Sequence, residues 1–193
     1  MLPEPLQVVQ RLIETFDRLG IAYLVGGSVA SSVVGVERAT QDVDFVVVLL
    51  EAQVEALTLA LADEFYADAD LLRDAILHNS SANVIHLPTM IKADLFISPD
   101  TAFAHSQMER RLRLPLLGDS APLVCVTSPE DMILQKLRWY RLTDERSEKQ
   151  WGDVQGIFRI QQAALDQSYL TDWAKELELT DLLMRAREEA GLA

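Results

Sequence analysis

Two aspartates separated by one residue stand where a buried strand is predicted to begin. Asp42 and Asp44 flank Val43 and precede the apolar run at 45–50. Because side chains alternate along a strand, both carboxylates point to the same face of the sheet. Two anions this close repel each other, and a divalent cation between them removes the conflict. Carboxylate oxygens suit Mg²⁺ or Mn²⁺, so the pair predicts a metal site.

A Gly-Gly-Ser turn upstream of the aspartates supplies a complementary chemistry. Gly26 and Gly27 follow the short apolar stretch 21–25, and Ser28 is the predicted N-cap of a short helix. Glycine lets the backbone approach a ligand closely, and the free N–H groups of a helix N-terminus favour a phosphate. The turn and the Asp-x-Asp strand together predict a site that holds phosphates and their metal.

A third carboxylate lies alone in a predicted strand further along the chain. Asp94 is the only acidic residue of the segment IKADLFI at 91–97. A buried carboxylate is costly unless it is paired or bound to a metal. If this strand lies beside the Asp-x-Asp strand, Asp94 is either a third metal ligand or a base for an attacking hydroxyl.

The hydrophobic patterning predicts the elements that position these residues. Apolar residues at helical spacing predict a helix over 4–19, with Gly20 as its stop signal. Strands are predicted at 21–25, 42–50, 82–87, 91–97 and 122–127, separated in part by helices at 51–65, 68–79 and 101–110. From Ser128 onward the pattern is helical. We therefore predict an α/β (α+β) chain with a mixed sheet flanked by helices: a core over 1–127 and a helical region over 128–193 packed on that core.

Charge and composition narrow the function classes. The net charge of −13 argues against a general nucleic-acid binder, which needs a broad basic surface. Residues 110–149 carry eight basic and six acidic side chains, which fits either a local basic face or a solvated, salt-bridged surface. The single cysteine, the absence of an apolar run of about 20 residues and the lack of a secretory signal pattern predict a cytoplasmic protein without membrane partners.

The motif order resembles a known superfamily. The pattern VGGS…RATQDVDFVVV followed by KADLF is similar to the nucleotidyltransferases related to DNA polymerase β, which combine a glycine turn, an Asp-x-Asp pair and a later third aspartate. Arg38 and Thr40 resemble the Arg-x-Thr-x-Asp-x-Asp version of bacterial members, among them the AbiEii-like toxins of toxin–antitoxin and phage-defence systems. The segments SPEDMILQKLRWYR and SEKQWGDVQGI are similar to later helices of those proteins and carry over Lys136 and Asp153.

The resemblance implies a nucleotidyltransferase fold and a function. It implies Mg²⁺- or Mn²⁺-dependent transfer of a nucleoside monophosphate from an NTP to an acceptor hydroxyl, with release of pyrophosphate. The implied nucleotide-binding residues are Gly26, Gly27, Ser28, Arg38, Thr40, Lys136 and Asp153, and the implied catalytic and metal-binding residues are Asp42, Asp44 and Asp94. The acceptor stays open among RNA such as tRNA, a protein hydroxyl and a small molecule such as an aminoglycoside. A toxin-type member would also have a cognate antitoxin as partner.

Other readings of the Asp-x-Asp motif explain less of the sequence. A haloacid-dehalogenase-type phosphatase has its apolar strand before the first aspartate, whereas here the apolar run follows it. A metal-dependent glycosyltransferase would not explain the Gly-Gly-Ser turn. The remaining rival is a non-catalytic nucleotide-binding or partner-binding protein that has the same fold.

Overall fold

The computed structural model describes residues 3–27, 43–115, 123–161 and 163–191. These residues divide into two units, the first ending at Thr127 and the second beginning at Ser128. None of the helices among them is long and apolar enough to cross a membrane.

The first unit is built on a mixed sheet. In the described residues its strands are β1 (Ala22–Val25), β2 (Val43–Val48), β3 (Phe65–Ala67), β4 (Ser81–His86), β5 (Ile91–Ile97), β6 (Leu112–Pro115) and β7 (Leu123–Val126). They lie in the order β3-β4-β5-β2-β1-β7-β6. The pairs β2–β5 and β1–β7 are parallel, and the other neighbours are antiparallel. The predicted α/β class with a mixed sheet is therefore confirmed.

In the described residues of this unit, one helix precedes the first strand and others connect later strands. They are α1 (Glu4–Leu19), the short 3-10 helix Glu51–Gln53, α2 (Val54–Leu61), α3 (Ala69–His78) and α4 (Ala102–Glu109). Helix α1 buries the apolar stripe that its sequence spacing predicts and ends at Gly20, whose φ of 65° is the left-handed conformation of a helix C-cap. The chain therefore turns from α1 directly into β1.

The two faces of the central strands differ in burial. On β2, Val43, Phe45 and Val47 are buried, whereas the alternate residues Asp44 and Val46 are only partly buried. β5 repeats this alternation, with its odd-numbered residues from 93 onward buried. Because strand side chains alternate, the apolar face of β2 anchors the strand and directs Asp44 to the opposite face.

An aromatic cluster fixes β2 from the buried side. The ring of Phe45 lies 5.3 Å from that of Phe16 on α1 and 6.1 Å from that of Tyr23 on β1, both in edge-on arrangements. Edge-to-face pairs at these distances add to the stabilisation from burial. The residue next to Asp44 is thus among the best anchored in the sheet.

The second unit is helical in the described residues. Its helices are α5 (Pro129–Leu142), α6 (Glu148–Gln161), α7 (Gln167–Glu176) and α8 (Thr180–Glu189). The predicted N-cap of α5 is confirmed, because the Ser128 hydroxyl accepts a hydrogen bond from the Asp131 N–H at 3.1 Å. The same hydroxyl donates to the buried Asp131 carboxylate at 2.8 Å, and the Tyr169 hydroxyl donates to it at 2.7 Å. This network links α5 to α7.

The helix predicted over 51–65 is shorter than its pattern indicates. Helix α2 ends at Leu61, and the residues that follow enter the edge strand β3, which pairs with β4. Phe65 is buried in this strand and not in a helix. Three strand residues are too few to show the alternation that distinguishes a strand from a helix end.

The buried phenol of Tyr23 predicts a loss of stability at alkaline pH. Tyr23 is 4% exposed. Burial is the main cause that raises its pKa to about 12, and the charges of Asp17 and Cys125 contribute less. Below the unfolded-state pKa of about 10 both states hold the phenol proton, so the full contribution is present there. Above it the unfolded chain ionises first, and the contribution disappears as the pH rises through the folded-state pKa.

We expect the free energy of unfolding to fall by about 1 kcal/mol more in the wild type than in Tyr23→Phe between about pH 9 and pH 11. Urea titrations at successive pH values measure this difference. Tyr66→Phe, which removes an exposed hydroxyl, is the control for the substitution itself. Parallel pH profiles of the wild type and Tyr23→Phe would contradict the prediction.

Candidate active site

The glycine turn lies directly against the strand that carries Asp44. β1 and β2 pair in antiparallel register up to Val25 and Phe45. The Gly26 N–H then donates a hydrogen bond to the Asp44 carbonyl oxygen at 2.8 Å. The Gly-Gly-Ser turn and the Asp-x-Asp motif, which 13 residues separate in the sequence, are therefore joined by a backbone hydrogen bond.

Gly27 makes room for the Asp44 carboxylate. Its φ is +56°, which side chains other than glycine rarely adopt. A Cβ added at this position would lie 1.8 Å from Asp44 Oδ2 and 2.8 Å from Asp44 Cγ. Both contacts are far below van der Waals distance, so any side chain here would force the carboxylate aside. The close approach that the structure shows at this turn is to the Asp44 carboxylate, and the predicted approach to a ligand stays a prediction.

Asp44 and Asp94 are neighbours across the sheet. In the parallel β2–β5 register Asp44 lies opposite Asp94, and in the antiparallel β4–β5 register Asn83 lies opposite Asp94. Residues that are paired across neighbouring strands share a face, and adjacent strands are about 4.8 Å apart. Asp44, Asp94 and Asn83 therefore form one row across three strands.

Two side chains that the sequence analysis missed contact Asp94. The Asn83 amide donates to Asp94 Oδ1 at 3.0 Å, and the Lys92 ammonium lies 2.9 Å from Asp94 Oδ2. Lys92 could have been found from the sequence, because it precedes Asp94 by two residues and so shares its face of the strand. Asn83 could not, since its position depends on the register between β4 and β5.

The donor chemistry of this row fits a hard cation. Asp44 and Asp94 supply carboxylate oxygens, which Mg²⁺ prefers, and Gly27, which has no side chain, leaves room for the Asp44 carboxylate. Within the described residues no cluster of three or more His, Cys, Asp or Glu side chains has the arrangement of a metal site. A complete ligand set therefore needs a further contributor, which the sequence analysis assigns to Asp42.

Four of the predicted site residues lie outside the described residues. These are Ser28, Arg38, Thr40 and Asp42. Their roles in binding phosphate or metal stay predictions, as do the helix predicted to start at Ser28 and the opening residue of the predicted strand 42–50.

Lys136 and Asp153 come together within the second unit. The Lys136 ammonium donates to Asp153 Oδ2 at 2.7 Å, which joins α5 to α6. Their side chains are only 12% and 16% exposed, respectively. Removing one partner of a pair this well shielded leaves an uncompensated charge, so loss of either side chain alone should weaken the contact between these helices. A role of either residue in nucleotide binding stays a prediction.

Comparison with known proteins places the fold. No protein-family model matches the sequence, and no curated protein matches it either. An antigenic nucleotidyltransferase-like protein from Paracoccidioides brasiliensis superposes with a TM-score of 0.53 at 18% identity, over 94% of this chain and 91% of that chain. A Thermotoga maritima protein provisionally described as a nucleotidyltransferase gives 0.52 at 13% identity, over 78% and 94%.

The antibiotic-resistance factor ANT(2'')-Ia also superposes over most of both chains. It superposes with a TM-score of 0.51 at 13% identity, over 95% of this chain and 92% of that chain. At these identities the likeness is one of architecture, with the mixed sheet and flanking helices in common. The chain has the nucleotidyltransferase fold.

Proposed function

We propose that the protein is a Mg²⁺- or Mn²⁺-dependent nucleotidyltransferase. The observation that carries this proposal is the fit of Gly27 against the Asp44 carboxylate, beside Asp94 on the neighbouring strand. Glycine adopts this positive φ without steric cost, and the absence of a side chain at position 27 lets the Asp44 carboxylate keep its position beside Asp94. The nucleotidyltransferase fold of the chain agrees with this proposal.

The reaction assigns distinct tasks to the residues of the site. The acceptor oxygen forms a bond to the α-phosphorus of the NTP, the bond to the β-phosphate bridge breaks, and pyrophosphate leaves. The backbone N–H groups at Gly26, Gly27 and Ser28 would hold the triphosphate, assisted by Arg38 and Thr40 and by the charge of Lys136, with Asp153 near that lysine. A bound divalent cation would neutralise charge on the phosphates.

The carboxylates carry the remaining tasks. Asp42 and Asp44 would hold the cation. Asp94 would either complete its ligands or accept the proton that the acceptor hydroxyl loses as its oxygen bonds to phosphorus. Holding the reacting groups in line and placing charge where it develops is what phosphoryl chemistry requires of a protein.

Three acceptor classes are proposed, and the molecule distinguishes them only by charge. The net charge of −13 disfavours a long nucleic acid, whereas the local basic excess at 110–149 leaves tRNA as an acceptor. The similarity of the fold to that of an antibiotic-resistance factor, over most of both chains, supports a small antibiotic as an alternative acceptor to RNA or a protein hydroxyl. A toxin role with a cognate antitoxin rests on the sequence motifs alone, and the cytoplasm is the expected location.

A label-transfer experiment tests the function. The protein is incubated with Mg²⁺ and each α-³²P-labelled NTP, in separate reactions with total tRNA, protein or a panel of aminoglycosides. Transfer to one acceptor that disappears in Asp44→Ala supports the enzyme and identifies the acceptor. The absence of transfer with every acceptor and every NTP, in Mg²⁺ and in Mn²⁺, would contradict it.

A non-catalytic nucleotide-binding protein is the second candidate. The observation in its favour is that both carboxylate oxygens of Asp94 already have partners within the chain, Asn83 and Lys92. Such a protein would bind an NTP without transferring the label. Equilibrium binding of the same labelled nucleotides separates the two candidates.

A further inference from the structure

We infer that Lys92 is the counter-ion of Asp94 in the metal-free protein and competes with the divalent cation for that carboxylate. The inference rests on the proposed function, because it takes the Asp44–Asp94 row as the cation site. It concerns a residue to which the sequence motifs assign no role, and assigns it the task of tuning the affinity for the cation.

The first argument is electrostatic. Asp44 and Asp94 lie opposite each other on neighbouring strands, and like charges in that arrangement destabilise a sheet. A positive charge on the same face offsets this repulsion while no cation is bound. Lys92 supplies it, since its ammonium lies 2.9 Å from Asp94 Oδ2.

The second argument is that the two partners of Asp94 affect the charge of the site differently. Asn83 is neutral and donates to Oδ1 at 3.0 Å, so it orients the carboxylate without changing the charge of the site. Lys92 contacts the other oxygen and lowers the net negative charge by one. Loss of either residue removes a hydrogen bond, but only loss of Lys92 alters the attraction for a cation.

The third argument is that the Lys92 contact can be exchanged. The Lys92 side chain is 42% exposed, whereas the Asp94 carboxylate beside it is 17% exposed. In the Lys136–Asp153 pair of the second unit, both partners are nearly enclosed, with 12% and 16% exposure. An ammonium that is well solvated loses little when it leaves its partner, so Lys92 is suited to give way to a cation.

The test measures binding of Mn²⁺ alone, without nucleotide, from the electron paramagnetic resonance signal of the free ion. We expect Lys92→Met to bind Mn²⁺ roughly three- to tenfold more tightly than the wild type, since the screened charge of one exposed lysine is removed. Lys92→Arg keeps the charge and should stay within about twofold of the wild type. Lys175→Met is the matched control, because it makes the same substitution at an exposed lysine of α7.

A second measurement checks that the effect runs through Asp94. In an Asp94→Asn background, adding Lys92→Met should tighten Mn²⁺ binding clearly less than it does in the wild type, so the double-mutant cycle shows coupling. In EDTA, Lys92→Met should melt at a lower temperature than the wild type, and saturating Mn²⁺ should close this gap. A purely structural lysine would lower the melting temperature without tightening the binding of Mn²⁺.

The outcomes separate this inference from the proposed function. If Asp44→Asn weakens Mn²⁺ binding tenfold or more but Lys92→Met leaves it unchanged or weaker, the competition is overturned and the cation site stands. If the wild type and Asp44→Asn bind Mn²⁺ equally, the cation site itself is wrong and the inference falls with it. Asn83→Ala keeps the charge of the site, so tighter Mn²⁺ binding in that variant would also overturn the assignment to Lys92.

Discussion

Replacing Asp44 by asparagine should lower kcat/KM for nucleotidyl transfer by about 10³-fold or more, equivalent to about 4 kcal/mol of transition-state stabilisation. The substitution removes one negative charge from the row that Asp44 forms with Asp94. Under the proposed function this charge holds the cation that offsets charge on the transferred phosphoryl group. The loss should appear in kcat as well as in KM, because the interaction is strongest in the transition state.

Asparagine is the informative substitution because it preserves the local structure. The hydrogen bond from Gly26 uses the backbone carbonyl of residue 44 and not its side chain. Phe45 next to it remains anchored by the ring of Phe16 on the buried face. We therefore expect Asp44→Asn in EDTA to keep the fold of the sheet and to unfold cooperatively, with the repulsion between residue 44 and Asp94 relieved.

A matched control separates the loss of Asp44 from the general effect of replacing an aspartate by asparagine. Asp63→Asn makes the same chemical change at an exposed position that follows α2. It should leave kcat/KM within about twofold, as expected for a surface substitution. A variant Asp44→Asn that retains more than a tenth of the wild-type activity, with the label on the same acceptor, would contradict the assignment of Asp44.

The bounds of one central strand and the alternation of its side chains could be predicted from the sequence. The strand predicted at 91–97 is β5 with the same bounds, although Asp94, expected as a buried carboxylate, is only partly buried. Alternation also predicts that Asp44 points to one face of its strand, and the structure places Asp44 on the partly buried face of β2. Burial of one face specifies the orientation of every side chain in a strand, so this information is local and can be read from the pattern.

The relation between strands could not be predicted in the same way. That Asp44 lies opposite Asp94, and Asn83 on the other side of it, depends on the order and register of three strands. The register between β2 and β5, which lie far apart in the sequence, is set by the packing of the whole sheet, which the pattern of either strand alone does not encode. Asn83 as a partner of Asp94 is therefore a structural finding, and so is strand β3, which pairs with β4 at the edge of the described sheet.

The role of the glycine turn could be predicted from the sequence only in part. The sequence predicts that the glycines at positions 26 and 27 allow a ligand to approach the backbone closely. It does not show which part of the protein itself lies against each glycine. The structure shows that Gly26 tolerates a Cβ, whose nearest neighbours would lie at 3.7 Å and 3.8 Å, whereas Gly27 does not. The two adjacent glycines thus have different requirements, and Gly27 is the one whose replacement tests the site.

Replacing Gly27 by alanine should lower kcat/KM by about 10²-fold, because displacing a catalytic group by about 1 Å has an effect of that order. The added Cβ would lie 1.8 Å from Asp44 Oδ2, so the carboxylate must leave its position. The positive φ adds backbone strain of about 1–2 kcal/mol, which should reduce the free energy of unfolding. Steady-state kinetics, urea unfolding and Mn²⁺ binding measure the three consequences.

Gly20→Ala separates the strain from the displacement of Asp44. Gly20 has a φ of +65°, close to the +56° of Gly27, but a Cβ at Gly20 would meet no atom within 4 Å. Its replacement should therefore cost about 1 kcal/mol of stability with full activity and full Mn²⁺ affinity. If Gly27→Ala lost no more activity than Gly20→Ala at equal loss of stability, the contact between Gly27 and Asp44 would have no catalytic role. A loss of activity in Gly27→Ala alone, with weaker Mn²⁺ binding, is the result that the position of the carboxylate requires.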